Sequence, residues 1–587
     1  MTTATNGVFS RGWAIVIRCI LEDKRKKYLW VNMASPVLKC DASPQLVAQV
    51  QDIEDQSDKW ADGFALAEFT HDVAIWGVLT QVVDLIEQWI AQYGHGSQEH
   101  REAMINLGRA GALLLHELHG THLPAKAVWL KWTPELKEAT KQAVFAAHNR
   151  EIFISSFTMW HKYRRAVEIL SPTSLRFSVP PSLMDRRIMA HQQGCRIPDW
   201  PSTPDNPVDK SLVDDPDTAL LLSRLLSKVA LEGALAMRYP DDSELLSHLR
   251  NVYDNRLRLA FRRRPDLDLG GYNLGAFRQF FAVLLSLCSV HEYLCDAWSK
   301  MCGRYPFESA LMVRSLSEWA RVITDLSGVE ESQVRLMIAD LSFGTIRPLD
   351  IYIHPFAPSL DSQALFLIPH FILNSRAEEN VLRVCSYARP EYYSRIANAK
   401  EEEMREDIKE NVPSRYTVMG PLKLPDPKLP DLDVAINDAE DSTLLIGELK
   451  WLRKAVRALE YLDRDAELAE GFQQLLHVRE FLEGSPDFLE ERGVIKKGQH
   501  QPSLSHAVIA RDHIGLIQQQ EGCWLAEFDA LIWALQKSEN LTEAIRKLQS
   551  YEWLPIEGRD FTVRFESSSI AGVTIEAEMF HRPPRHA

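Results

Sequence analysis

The chain has 587 residues, of which 45% are hydrophobic and 25% charged, and a formal net charge of −15. That length exceeds what one hydrophobic core serves, so about three or four domains are expected, and the composition excludes a disordered or fibrous chain. The acidity excludes a globally basic nucleic-acid coat, because non-specific phosphate binding rests on Lys and Arg.

The opening stretch, MTTATNGVFSRGWAIVIRCILEDKRKKYLW, carries an apolar run too short and interrupted for a secretory signal or a membrane span. A cytoplasmic protein with no membrane partner is expected. The eight cysteines include no CxxC pair, which argues against a zinc ribbon or a disulfide framework. Residues 44 to 170 repeat apolar side chains at helical spacing, as in DVAIWGVLTQVVDLIEQWIAQY, so residues 1–195 are expected to form a helical domain. RIPDWPSTPDNPVDKS, residues 196–211, concentrates proline, serine and aspartate and reads as a linker or long loop. Helical patterns resume over 212–345, a second helical domain.

Within that region Arg262, Arg263 and Arg264 follow a helical run and precede Pro265. With Lys24–Lys27 they are the local basic clusters of an acidic chain, and they are the best candidates for nucleic-acid contact; the plainer reading is a solvated helix end. LLLHELHGTH crowds His116, Glu117, His119 and His122, but a zincin needs H-E-x-x-H and here the second histidine comes one residue early. A histidine-rich helix terminus ending at Gly120 is the expectation. Cys288, Cys295 and Cys302 recur every seven residues, as core positions on one helix face do. No GxxxxGK[ST] loop is present.

Residues 346–392, including LDIYIHPFAPSLDSQALFLIPHFIL, are β-branched, aromatic and punctuated by proline, which predicts two strands in a bridging segment. Then come a charged helix with a Met404, Ile408, Val412 stripe, the strands RYTVMGPLKL, DLDVAI and TLLIGELKW, the helix AELAEGFQQLLHVREFL and the strand SHAVIARD. The predicted order over 393–520 is αβββαβ, with a helix and β extension over 521–587. Strand alternation puts Asp431 and Asp433 on one face and Glu448 with Lys450 on one face of the next strand. Charges at the end of so apolar a strip are costly unless they line a site, and a hard divalent cation with carboxylate and water ligands resolves the conflict.

On these residues the chain resembles the PD-(D/E)xK superfamily of restriction-endonuclease-like nucleases, over about residues 393 to 515. The resemblance rests on the element order, an acid on the second strand, Glu448-Leu449-Lys450 on the third, and the GFQQL helix opening with Gln474. It implies an α/β nuclease-like domain with an αβββαβ core and a mixed sheet, and with the helical patterns before it the chain is expected to be multidomain, a large all-α N-terminal part carrying that domain. It implies that Asp433, Glu448 and the Leu449 carbonyl hold Mg²⁺ or Mn²⁺, and that Lys450 orients the attacking water. Asp433 is preferred to Asp431 because it lies deeper in the apolar strand. The extra acid that many members carry is sought among Glu403, Glu406 and Glu410, and the tyrosine that often follows the glutamine by one turn is replaced by Val478. The expected function is regulated hydrolysis of nucleic acid, DNA before RNA, in antiviral defence or repair, with a partner protein or a second copy as possible regulators. The rival is a non-catalytic helical scaffold whose nuclease-like domain is structural.

Overall fold

Several helices begin on one local device. Ser43-Pro44, Thr133-Pro134 and Asp215-Pro216 each place a side-chain oxygen on the amide of the residue three positions on, Leu46, Leu136 and Thr218. Proline supplies the helical φ where no N–H is needed. The computed structural model describes residues 38–583 except 95–97, 121–130, 163, 181–182, 198–214, 233–235, 262–263, 345–349, 361–363, 439, 454–457, 498–501, 512–514 and 516–518. The expected linker therefore lies almost wholly outside the described residues, as do Lys24–Lys27, His122, Arg262 and Arg263.

The fold is mixed, helical and α/β. Helices α1 (Pro44–Ser57), α2 (His71–Tyr93), α3 (Gln98–Gly120) and α4 (Pro134–His161) pack around Trp76, Phe153, Phe157 and Trp160. Next come β1 (Ala166–Ser171), β2 (Ser174–Ser178), α5 (Leu183–Gln192), α6 (Pro216–Leu226), a ribbon of β3 (Ala230–Glu232) and β4 (Ala236–Arg238), α7 (Ser243–Ala260) and α8 (Leu274–Cys302). The middle of the chain holds β5 (Met312–Ser315), α9 (Leu316–Ser327), α10 (Glu331–Asp340), β6 (Phe356–Pro358), β7 (Ala364–Leu367), α11 (Pro369–Leu373) and α12 (Ala377–Ala388). Then follow α13 (Tyr393–Asn411), β8 (Tyr416–Met419), β9 (Val434–Asp438), β10 (Thr443–Trp451), α14 (Ala458–Gly484), α15 (Phe488–Glu491) and β11 (Ser503–Arg511). The chain closes with β12 (Gln519–Gln520), β13 (Cys523–Glu527), α16 (Phe528–Lys537), α17 (Leu541–Gln549), β14 (Thr562–Ile570) and β15 (Val573–His581).

The N-terminal part is not all-α. β1 and β2 form an antiparallel hairpin, and β15 from the far end of the chain pairs parallel to β2, giving a sheet ordered β1-β2-β15-β14. Val167, Phe177, Val573 and Ile575 from this sheet enter the same core as Trp76 and Phe157. The extension expected over 521–587 is thus divided between two places, since β13 and α16 belong with the sheet that holds β10. The region 212–345 likewise carries β3, β4 and β5 among its helices.

The bridging segment holds two strands, as expected, β6 and β7. Just before them residues 350–354 form a turn, in which Asp350 takes the Tyr352 amide on its side chain at 2.9 Å and the His354 amide on its carbonyl at 2.8 Å. β5, β7 and β6 make a three-stranded antiparallel sheet that lies between two cores. Its residues alternate: Phe356 and Leu367 enter the core around α8, whereas Ala357 and Phe366 enter the core around α2. α2 and α8 are long and apolar enough to cross a membrane, yet 72% and 78% of their most apolar windows are buried inside the protein. Cys288 and Cys295 are buried core positions, while Cys302 emerges exposed at the end of α8.

Residues 393–511 contain the helix, three strands, helix and strand that were predicted, in that order. The sheet runs β12-β13-β11-β10-β9-β8, with β10, β11 and β13 parallel and β8, β9 and β12 antiparallel to their neighbours. β9 and nearly all of β10 are buried, which explains why TLLIGELKW shows no polar alternation: the sheet is covered on both faces. In the acidic turn after β9 Glu440 is exposed, but the acids on either side of it are engaged. Asp438 is 2% exposed and accepts the Leu541 amide, and Asp441 accepts the Thr542 amide at 2.7 Å, so the two acids sit on the N-terminus of α17.

Before β9, Gly420 has φ of +126° and passes so close to the Asp433 carbonyl that a Cβ would collide with it. Gly420→Ala is predicted to lower unfolding stability by about 1–3 kcal/mol, the cost of a side chain in that region of φ. Denaturant unfolding checks this, and an unchanged midpoint contradicts it.

Candidate active site

Three strands and two helices bring the predicted residues together. β9 pairs with β10 as far as Val434 opposite Gly447, and extending that register sets Asp433 opposite Glu448. At that step a side chain takes over from the ladder, with Asp433 Oδ2 accepting the Leu449 amide at 3.0 Å. A residue's N–H and C=O leave an extended strand on the same side, so the Leu449 carbonyl is directed to the Asp433 side as well. Glu448 is 4% exposed, and its Oε1 lies 2.9 Å from Lys450 Nζ. Lys450 Nζ also donates to Gln474 Oε1 at 2.5 Å, which joins β10 to α14.

Gly471 makes that reach possible. A Cβ there would stand 3.0 Å from Lys450 Cε and 3.3 Å from Val508 Cγ1, so any side chain would make those neighbours give by a few tenths of an ångström. Gln474 follows one helical turn later and points to the same lysine. Asp431, the alternative acid, is exposed, so the preference for the deeper Asp433 agrees with its placement. Asp433 is further fixed at its carbonyl, which accepts from Arg405 Nη1 at 3.3 Å.

The extra acid at this cluster is Glu401, which sequence reasoning missed. Its Oε1 accepts the Trp451 amide at 3.2 Å, and its charge acts on both Lys450 and Asp433. Glu406, by contrast, is 46% exposed and bonded to Lys409; Glu403 is buried against Lys400, which also reaches Glu378 on α12; Glu410 is exposed. The signal for Glu401 was available. It lies three residues before Met404 and seven before Ile408, the helical continuation of the apolar stripe, and both of those are fully buried.

The electrostatics are those of crowded, poorly solvated acids. Burial raises the Glu448 carboxyl well above the ordinary range, and the Asp433 charge raises it further against the pull of Lys450. Burial likewise raises Asp433, which lies close enough to Glu448 to share a hydrogen bond. Burial, and secondarily Asp433, carries Glu401 up to about 7. For Lys450 burial acts downward, but Glu448, Glu401 and Asp433 outweigh it and hold the ammonium protonated. Two carboxylates that share a proton beside a backbone carbonyl form an oxygen-rich donor set, which suits Mg²⁺ or Mn²⁺ in place of that proton.

The remaining candidates lie elsewhere. Arg264 is bound to Glu402 at 2.7 Å and lies 3.6 Å from Asp266, so two acids already neutralise its charge. His116 is exposed, and His119 packs edge-on against Phe343; α3 is described as far as Gly120, so the expected helix end there lies at the edge of the described residues.

A raised pKa is a stability penalty with a defined sign. The folded form of Glu401 favours the protonated acid, so its contribution is full below the ordinary value of 4.5 and is lost as pH rises through about 7. Glu401→Gln keeps an acceptor for the Trp451 amide without the charge. The variant is predicted to be more stable than the parent at pH 8, by up to about 3 kcal/mol, and little changed at pH 5. Thermal unfolding at the two pH values checks it; a variant less stable at pH 8 contradicts it. No family model, curated protein or solved structure matches the chain at significance.

Proposed function

We propose that this protein is a metal-dependent nuclease of the PD-(D/E)xK type, with its centre at Asp433, Glu448, Lys450 and Gln474. The observation that carries the reading is convergence: a carboxylate from the edge of β9, a carboxylate and an ammonium from one face of β10, and an amide from α14 meet within hydrogen-bond distances. Such a set of perturbed acids around one lysine is costly for folding and is characteristic of sites retained for chemistry.

Asp433 and Glu448 would hold the divalent cation, with the Leu449 carbonyl beside them. When bound, such a cation polarises the scissile phosphate and lowers the pKa of its water. Lys450 has three donors. Two are committed to Glu448 Oε1 and Gln474 Oε1, and the third is left to orient an attacking water and stabilise its hydroxide form. Gln474 acts through Lys450 by fixing its rotamer. Glu401, with a pKa of about 7, is placed to hold or release a proton near neutrality beside Lys450. DNA is the favoured substrate, and the helical part that surrounds the domain is read as its regulator, a reading that rests on analogy of fold.

Glu448→Gln and Lys450→Ala are each predicted to lower Mg²⁺-dependent cleavage of plasmid DNA by roughly 100-fold or more while the thermal transition is retained. Asp433→Asn is expected to match them and Asp431→Asn to be mild. Retained cleavage in the Glu448 or Lys450 variant would overturn the assignment, and no cleavage of DNA or RNA by the parent would favour the structural scaffold. Because the chain carries a net charge of −15, substrate binding is predicted to be weak and to fall with salt. A slope of log affinity against log salt near zero contradicts phosphate contact.

A further inference from the structure

α2, α8 and α11 meet at the seam between the two cores, and the neighbours Phe371 and Ile372 on α11 point one into each. There His370 stands between two glutamates from the other two helices. Its Nε2 is 2.7 Å from Glu87 Oε1, and its Nδ1 is 3.4 Å from Glu292 Oε1. The imidazole is 5% exposed and the Glu292 side chain 13%. The second oxygen of Glu292 accepts from the Tyr305 hydroxyl at 3.3 Å. His370 Nδ1 and Glu292 Oε1, however, are both buried and neither makes a hydrogen bond.

Leaving a buried polar atom unsatisfied is costly, so two that face each other call for a common partner. Their separation indicates which. At 3.4 Å the pair is too far apart for a good N–H···O bond. Two ligands bound at about 2.1 Å in a tetrahedral arrangement around one cation lie about 3.4 Å apart. The surroundings fit the same reading. A metal-bound histidine donates its other ring N–H to a carboxylate, which fixes the tautomer, and Glu87 stands in that place on Nε2. Tyr305 supports Glu292 from behind in the same way. Ligand atoms of Glu87, Glu292 and His370 all lie within 4.8 Å of one another. Asp296, one turn after Glu292 on α8, adds a further negative charge that acts on both Glu292 and His370.

We propose that His370 Nδ1 and Glu292 Oε1 hold a divalent transition-metal cation at this seam, with Glu87 orienting the imidazole and serving as the nearest further donor. The mixture of imidazole and carboxylate selects Zn²⁺ over Mg²⁺ or Ca²⁺, which take oxygen alone. The cation ties α2, which belongs to one core, to α8, which belongs to the other, by way of α11, which reaches into both. It is separate from the centre at Asp433 and does not depend on the nuclease reading. The competing arrangement is a protonated imidazole shared between the glutamates with no metal at all.

The test uses the full chain carrying Glu448→Gln, so that cation binding at the other centre is suppressed. The protein is stripped with chelator, dialysed and titrated with Zn²⁺, reading bound zinc per chain and the thermal transition. One equivalent bound and a raised Tm are expected. Glu292→Gln, which keeps an acceptor for Tyr305, and Glu87→Gln are each expected to weaken Zn²⁺ binding at least tenfold. His370→Ala should abolish it, and the two conservative variants keep the test valid if that one does not fold. No stoichiometric zinc in the stripped and titrated protein overturns the proposal in favour of the charged imidazole. Zinc bound as tightly by both glutamine variants overturns it too, because the metal would then lie elsewhere.

Discussion

The candidate centre depends on one substitution in a β-ladder: the Asp433 side chain, rather than a backbone carbonyl, accepts the Leu449 amide. That exchange ends the pairing of β9 with β10 and fixes a carboxylate in a buried place at the same time. An aspartate held only by its own rotamer would swing to solvent. Held by the sheet, it must face Glu448 across the strand gap, and everything else in the cluster answers the resulting concentration of negative charge. Lys450 is the first answer, and the closeness of α14 over Gly471 lets Gln474 hold it there.

The cost of this arrangement falls on folding, and the protein limits it locally. Burial of acids without full compensation raises their pKa values, so part of the charge is removed by protonation rather than by pairing. Elsewhere the same chain places its acids where they stabilise, with Asp438 and Asp441 on the N-terminus of α17 and Asp340 against Arg389 at 2.6 Å. The contrast separates acids serving structure from acids serving a site more clearly than the total of −15 does.

What was legible in the sequence was what local patterning controls. The order of elements from 393 to 511 could be read because Met404 and Ile408 recur at helical spacing and TLLIGELKW is a short, mostly apolar run of strand length. The faces of Asp433, Glu448 and Lys450 followed from a period of two. Glu401 was within reach by the same logic, since it continues the buried Met404 and Ile408 stripe, which Glu406 and Glu410 do not. The sheet that joins residues 166–178 to residues 562–581 was not legible, because β2 is short and its partner in β15 lies 400 residues away. Glu87, Glu292 and His370 come from three distant helices with no shared motif, so only tertiary packing reveals them. The two strands of the bridging segment were legible from their β-branched and aromatic residues, but that Ile351 fills a core from a turn held by Asp350 was not.

The two cores share the β5-β7-β6 sheet, and the helices surrounding the centre, α13 and α14, are themselves tied to the rest of the molecule. Arg164, just after α4, bonds Asp465 on α14 at 2.6 Å, and Arg383 on α12 pairs with Glu460 at the start of the same helix. These two bonds connect the rest of the molecule to α14, the helix that carries Gln474. The account stands most directly on the identity of the partner of Asp433 and Glu448. Crystals soaked in Mn²⁺ and measured at the manganese absorption edge should show an anomalous peak between those two carboxylates on the Leu449 carbonyl side. Clear density for both side chains with Lys450 or water between them, and no anomalous peak, would contradict it.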